Sequence, residues 1–142
     1  MELEGIDKVR QFQEMLAQMP QEQIPLHHLI HGKMYARTIF AKAGTVIVGT
    51  EANLDNICVV CGDITVTTEN GPIRLTGFNI LPATRGHKRV GITHSDTYWT
   101  TLVHTDKQTV QEAEDEMTNE SHLLLSRKQI TGDTECPSLQ LP

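Results

Sequence analysis

The sequence predicts an all-β barrel or sandwich, preceded by one helix and followed by a short helix and tail. Three observations carry that expectation. From Lys33 to His104, short runs rich in β-branched and aromatic residues recur roughly every ten residues between turn-forming clusters. Ahead of them, residues 6–19 repeat apolar side chains at spacings of three and four, the period of a helix. Beyond Asp106 the strand pattern stops and acidic, helix-compatible sequence takes over. The chain therefore divides into an N-terminal helix and connector (1–32), a β-barrel (33–106), and a C-terminal helix and tail (107–142).

In the first segment, Ile6, Val9, Phe12, Leu16 and Met19 form one stripe, and Pro20 ends the helix. Such a face packs on the domain or on a second subunit; its mixed-charge polar side argues against a membrane-surface helix. Gln21 to Gly32 reads as a polar, proline-containing connector. Its His27, His28 and His31 suit surface or capping roles better than a metal site, since no second cluster sits at ligand spacing.

The expected strands are 34–40, 45–48, 57–60, 63–68, 72–76, 78–81, 88–92 and 97–103. Turns fall at Ala43-Gly44, Gly62-Asp63, Glu69-Asn70-Gly71 and His94-Ser95-Asp96. Asn70-Gly71 is the strongest hairpin signal, because that pair tolerates the positive φ of a tight primed turn. Lys107 to Met117 reads as a helix with Thr109 or Asp106 as N-cap. The tail holds one apolar cluster, Leu123 to Leu125, which packs on the domain or on a neighbour.

A chain of 142 residues suits one domain able to bury a core without staples. The net charge of −6 excludes a general nucleic-acid binder, which needs a basic face to release counterions. Three cysteines and no apolar leader segment suggest a reducing cytoplasm rather than a disulfide framework. No run approaches the roughly 18 apolar residues of a spanning helix, so no membrane partner is expected.

Specific motifs then narrow the fold. Gly32, Tyr35-Ala36-Arg37, Ala43-Gly44-Thr45, Gly49, Gly62-Asp63, Thr68-Glu69-Asn70-Gly71, Leu81-Pro82 and Asp96-Thr97-Tyr98-Trp99-Thr100-Thr101 occur in this order. Over about residues 8–117 the chain resembles a small cupin-like (RmlC-like jelly-roll) family of bacteriophage and prophage proteins. The resemblance implies a double-stranded β-helix, a homo-oligomer and residence in the cytoplasm of a bacterial host cell. Metal-binding cupins carry two histidines and a glutamate before a glycine, and a histidine after a later proline. Counting back from Gly62, Asp55 takes the glutamate position, while Glu51 and Gly49 stand where the histidines would be; His87 matches the later histidine. Glu51, Asp55 and His87 are thus the candidate ligands of a degenerate site for Mn or Fe. The other reading is a solvated turn in a barrel that has lost its metal.

A second set is basic. Arg85, His87, Lys88 and Arg89 crowd into five residues of an acidic chain. Tyr35 and Arg37 share one strand face by two-residue alternation, and Trp99 could join Tyr35 as aromatic lining. Guanidinium forks suit phosphate or carboxylate and ring faces suit a base, so these residues point to a pocket for a small anionic, ring-bearing ligand. Alternatively, Arg85 to Arg89 form an exposed loop paired with Glu112 to Glu116. Cys58-x-x-Cys61 lacks a second pair, and its members point to opposite faces of a strand. Ser95-Asp96 with His94 or His104 lacks the strained turn of a hydrolase nucleophile. No catalytic residue is assigned.

Three functions remain in view. The first is non-catalytic binding of a small anionic, nucleotide-type ligand, in one form sequestering a bacterial defence signal for a phage. The second is a metal-dependent cupin enzyme, an isomerase or oxygenase. The third is a structural or protein-binding phage accessory that works through its N-terminal helix and Leu123–Leu125 tail. The first is the expectation carried forward.

Overall fold

The computed structural model describes residues 3–18, 24–124 and 126. An N-terminal helix, α1 (Leu3–Ala17), leads into seven strands: β1 (Leu26–His31), β2 (Met34–Ala41), β3 (Val46–Val48), β4 (Asn56–Thr68), β5 (Gly71–Ala83), β6 (Val90–Thr93) and β7 (Thr97–His104). Helix α2 (Val110–Met117) and a 3-10 turn (Ser121–Leu123) follow. All pairings are antiparallel, in the order β1-β2-β7-β4-β6-β3, with β5 added on β4. The sheet curls on itself into a jelly-roll half-barrel of the cupin-like kind.

Strand β4 organises the curl. Its first half, Ile57 to Cys61, pairs with β7, and its second half, Ile64 to Val66, pairs with β6. Gly62 sits at the change of partner with φ +149°, and a Cβ there would lie 2.7 Å from the Asp96 carbonyl oxygen. Only glycine fits that approach. The two strands expected at 57–60 and 63–68 are therefore one bent strand. The pair expected at 72–76 and 78–81 is likewise the single β5, in register with β4 from end to end.

Two other readings change. The supposed connector contains β1, whose Leu26, His28 and Ile30 alternate inward against β2; three histidines mask this alternation in the sequence. Its tight turn is Gly32-Lys33, both at positive φ (58° and 61°), as a primed hairpin requires. At the β4–β5 hairpin the loop is Glu69-Asn70, and the positive φ falls on Gly71. That is the pattern of an ordinary turn followed by a glycine rather than of a primed turn.

Two apolar clusters fill the molecule. Cys58, Val60, Ile64, Val66, Leu75 and Ala83 line the barrel, with Trp99 against them. At one end Tyr35, Val103, Ala113, Met117 and Leu124 join β2 and β7 to α2. Helix α2 starts at the Thr109 cap, whose Oγ accepts from the Glu112 amide at 3.3 Å while donating to Glu112 Oε1 at 2.8 Å. Residues 127–142, and with them most of the expected tail, lie outside the described residues.

Candidate functional site

A cavity of about 730 Å³ occupies the barrel and opens toward α1 and the segment after α2. That volume falls within the range of pockets that enclose small organic ligands. Strand alternation sets its walls. Arg37 and Ile39 on β2, Trp99 and Thr101 on β7, and Asn56 and Cys58 on β4 all point inward. Arg10 on α1 and Glu120 beyond α2 lie at the rim.

His87 and Arg89 enter from the β5–β6 connection, which main-chain bonds hold against the loop after β3. Gly49 N donates to Arg89 O at 2.9 Å, Ala52 N to His87 O at 2.9 Å, and Gly86 N to Ala52 O at 2.8 Å. This ladder turns alternate residues of the connection in opposite senses. His87 and Arg89 line the cavity and Lys88 between them is turned away, while Arg85, before the positive-φ Gly86, is exposed. Lys88 is fully buried elsewhere, donating to Glu120 Oε1 at 2.8 Å.

The electrostatics of the cavity wall are unusual. Arg37 Nε, His87 Nδ1 and Arg89 Nε are buried without a hydrogen-bond partner among the described residues. Buried polar nitrogens are normally paired, and each left unpaired costs about 1–3 kcal/mol. Glu114 Oε2 lies 3.9 Å from Arg37 Nε, an ion-pair distance beyond hydrogen-bond reach. Burial pulls the Arg37 guanidinium down from its ordinary value, opposed by Tyr35 and Glu114. Burial also lowers His87, helped by the charge of Arg89 and opposed by Glu69. Burial raises the Cys58 thiol, against the Arg89 charge and hydrogen bonds from Trp99 and Thr101.

A second charge network closes the rim. Arg10 Nη2 meets Glu51 Oε2 at 2.5 Å, and Arg10 Nε lies 3.7 Å from Glu120 Oε2. Glu120 Oε1 also accepts from the Glu51 amide at 2.7 Å. Burial alone would raise the Glu120 carboxyl, but the bonds from Lys88 and Glu51 together with the Arg10 charge hold it below its usual value.

These positions separate the predicted site residues. Arg37, His87, Arg89 and Trp99 come together on the cavity wall. Tyr35 does not join them: it registers with Val103, whereas Trp99 registers with Ile39. Tyr35 instead lies in the cluster under α2, its hydroxyl 2.7 Å from His28 Nδ1 and the two rings stacked at 5.9 Å. Arg85 and Lys88 lie outside the wall, and the acidic partners of the basic segment are not those expected on α2, since Lys88 takes Glu120. Asn56, Thr101 and Arg10 were not among the expected site residues, and Cys58 was weighed only as half of Cys58-x-x-Cys61. Asn56, Cys58 and Thr101 share the inward parity of β4 and β7 and could have been found by it; Arg10 could not, because only tertiary placement brings α1 to the rim.

The candidate metal set does not converge. Glu51 is engaged by Arg10, Asp55 is exposed with Oδ1 accepting from the Arg85 amide at 2.8 Å, and His87 faces the cavity beside Arg89. Among the described residues no three His, Cys, Asp or Glu side chains are grouped to hold an ion. The cavity wall carries Arg37 and Arg89 beside His87, with Glu14 and Glu120 also in its lining.

The structure is similar to solved cupins at low identity. A cupin superfamily protein from Desulfitobacterium hafniense aligns at 13% identity over 65% of this chain and 86% of that one, with a TM-score of 0.51. An RmlC-like cupin family protein with a double-stranded β-helix fold from Methanocaldococcus jannaschii aligns at 13% over 61% and 85%, with a TM-score of 0.49. A cupin-2 domain containing protein from Shewanella frigidimarina aligns at 9% over 66% and 91%, with a TM-score of 0.47. The first match supports the cupin-like fold, and at that identity it speaks to the fold alone. No protein-family model and no curated protein matches the sequence.

Proposed function

We propose that this chain is a non-catalytic binding protein that takes a small anionic molecule into its barrel. One observation carries the reading: Arg37, His87 and Arg89 line a single cavity, and each holds a buried nitrogen without a hydrogen-bond partner among the described residues. A phosphate or carboxylate oxygen entering there would accept charge-assisted hydrogen bonds and remove the cost of leaving those groups unpaired. Trp99 supplies an aromatic surface in the same cavity, and Ile39, Ile47 and Val66 add apolar surface to its lining. The fitting ligand has an anionic head and a ring or apolar body.

The narrower form of the proposal is a nucleotide-type ligand that the protein sequesters, in keeping with the resemblance to small phage proteins. Trp99 in the same cavity as Arg37 and Arg89 supports it, since a base can stack while its phosphate is held. Calorimetry against cyclic and linear nucleotides, ADP-ribose derivatives and their uncharged nucleosides tests both levels. Saturable binding of the anionic members alone supports the cavity reading, and selection of nucleotides over simple carboxylates and phosphate supports the narrower one. Failure of every anion to bind at high micromolar concentration would overturn it.

A further inference from the structure

The two guanidiniums of the cavity stand at different places and in different company. Arg37 on β2 is opposite Thr101 on β7, and Thr101 is opposite Cys58 on β4, so the three form one inward row across three strands. Strands about 4.8 Å apart make that row roughly 10 Å long. Two residues along, Ile39, Trp99 and Val60 form the next inward row. A ring lying on Trp99 therefore turns one edge toward Arg37 and Thr101, its diagonal and same-strand neighbours. Arg89 belongs to the far end of the first row: its charge acts on the Cys58 thiol and on His87, two residues before it. The groups acting on Arg37 are instead Tyr35 and Glu114.

We infer that the cavity selects nucleotides with a 6-oxopurine base, guanine above all, because Arg37 reads the O6 and N7 acceptors of the base while His87 and Arg89 hold the phosphate. The inference rests on the nucleotide-type reading above and deepens it. Charge compensation divides the roles. Glu114 Oε2 lies 3.9 Å from Arg37 Nε and offsets part of its charge, yet Arg37 makes no hydrogen bond among the described residues. A guanidinium so placed attracts a dianion less than an uncompensated cation does, and it keeps its whole fork of donors. Neutral acceptors suit it. His87 and Arg89 act on each other and have no carboxylate at ion-pair distance among the described residues, so their shared field is the better place for the phosphate. Guanine presents O6 and N7 side by side, both acceptors, and a guanidinium meets them with two parallel bonds. Adenine presents N7 beside an amino group, which would face the fork donor to donor. One such pair discriminates by roughly ten- to a hundredfold.

Calorimetric titration of the full chain with guanosine, inosine and adenosine monophosphates reads this selection, with circular dichroism to verify the fold of each variant. Inosine is included because hypoxanthine carries the same O6 and N7 without the amino group of guanine. The expected result is similar affinity for guanosine and inosine monophosphates, each at least tenfold tighter than adenosine monophosphate. In Arg37→Gln that preference should disappear. In Arg89→Gln all three should weaken together with the preference intact. The ratio of affinities is the readout because a general loss of packing lowers all three alike. Equal wild-type affinities, a guanosine preference that inosine does not share, a preference that survives Arg37→Gln, or one lost in Arg89→Gln instead would each overturn the inference and leave the anion-binding reading standing. Failure of all three to bind, with phosphate and carboxylates also failing, removes both.

Discussion

Arg37 and Glu114 face each other across the end of the barrel at 3.9 Å, near enough to attract and too far to share a proton. Arg89 lines the same cavity with no carboxylate within ion-pair distance among the described residues. Both residues are half-buried, and of the two only Arg37 has a carboxylate at ion-pair distance among the described residues.

That difference predicts opposite effects on stability. Arg37→Met removes the cation 3.9 Å from the Glu114 carboxylate, which is 2% exposed and keeps its bond from Ser126 Oγ, at a cost of about 1–3 kcal/mol. The melting temperature should fall by several degrees. Arg89→Met removes a half-buried guanidinium whose Nε lacks a partner among the described residues and replaces it with an apolar chain of similar reach, so the melting temperature should hold or rise. Both variants should lose anion binding, which separates the binding role from the structural one in a single pair of thermal melts and titrations.

His87 predicts the pH dependence of binding. Burial and Arg89 hold the free imidazole below its ordinary 6.5, so it is neutral at pH 7. An anion in contact raises it, and affinity should therefore increase as pH falls from 7 through 6.5 and level off once the free imidazole protonates. His87→Gln should bind more weakly at pH 6 and lose this slope. A wild-type affinity that is flat between pH 5.5 and 7.5 would remove His87 from contact with the ligand.

Glu120 predicts an acid-labile rim. Its folded value is depressed below the ordinary 4.5, so its contribution is complete above pH 4.5 and is lost as pH falls through the lower folded value. Hydrogen exchange of the α1 amides should accelerate over that interval, because protonated Glu120 no longer holds Lys88 and Arg10. In Glu120→Gln the amides should exchange fast already at pH 7.

Gly62 predicts the cost of straightening β4. Ala at this position meets the Asp96 carbonyl and demands a positive φ from a residue with a Cβ. Gly62→Ala should destabilise by about 2 kcal/mol or more, measured by urea unfolding with an unchanged slope.

Much of the architecture is legible in the chain because two-residue alternation and helical spacing are local signals. The helix at Leu3–Ala17, the Thr109 cap and the strand at Thr97–His104 depend on nothing beyond their own neighbours, while Met19 and Pro20 lie outside the described residues. Strand β1 escapes because His27, His28 and His31 make its alternation look polar throughout. The division of β4 and β5 into four strands follows from treating Gly62 and Gly77 as ends, when both sit inside continuous ladders. For the cavity, parity correctly groups Arg37 with the interior, but the same parity carries Tyr35 inward too. Which of them reaches the cavity depends on α2, whose docking against the Tyr35 end is a tertiary fact. The pairing of Lys88 with Glu120 spans 32 residues and has no local signature.

Trp99 is the only tryptophan of the chain and stands in the cavity wall, so its fluorescence reports on occupancy directly. Titration of the wild type with a nucleoside monophosphate and with the matching nucleoside, beside Arg37→Gln and Arg89→Gln, tests the central claim. The account predicts a saturable change with the phosphorylated ligand, at least tenfold weaker without the phosphate and in either variant. Equal responses to the charged and uncharged ligands, or a wild-type response preserved in both variants, would contradict it.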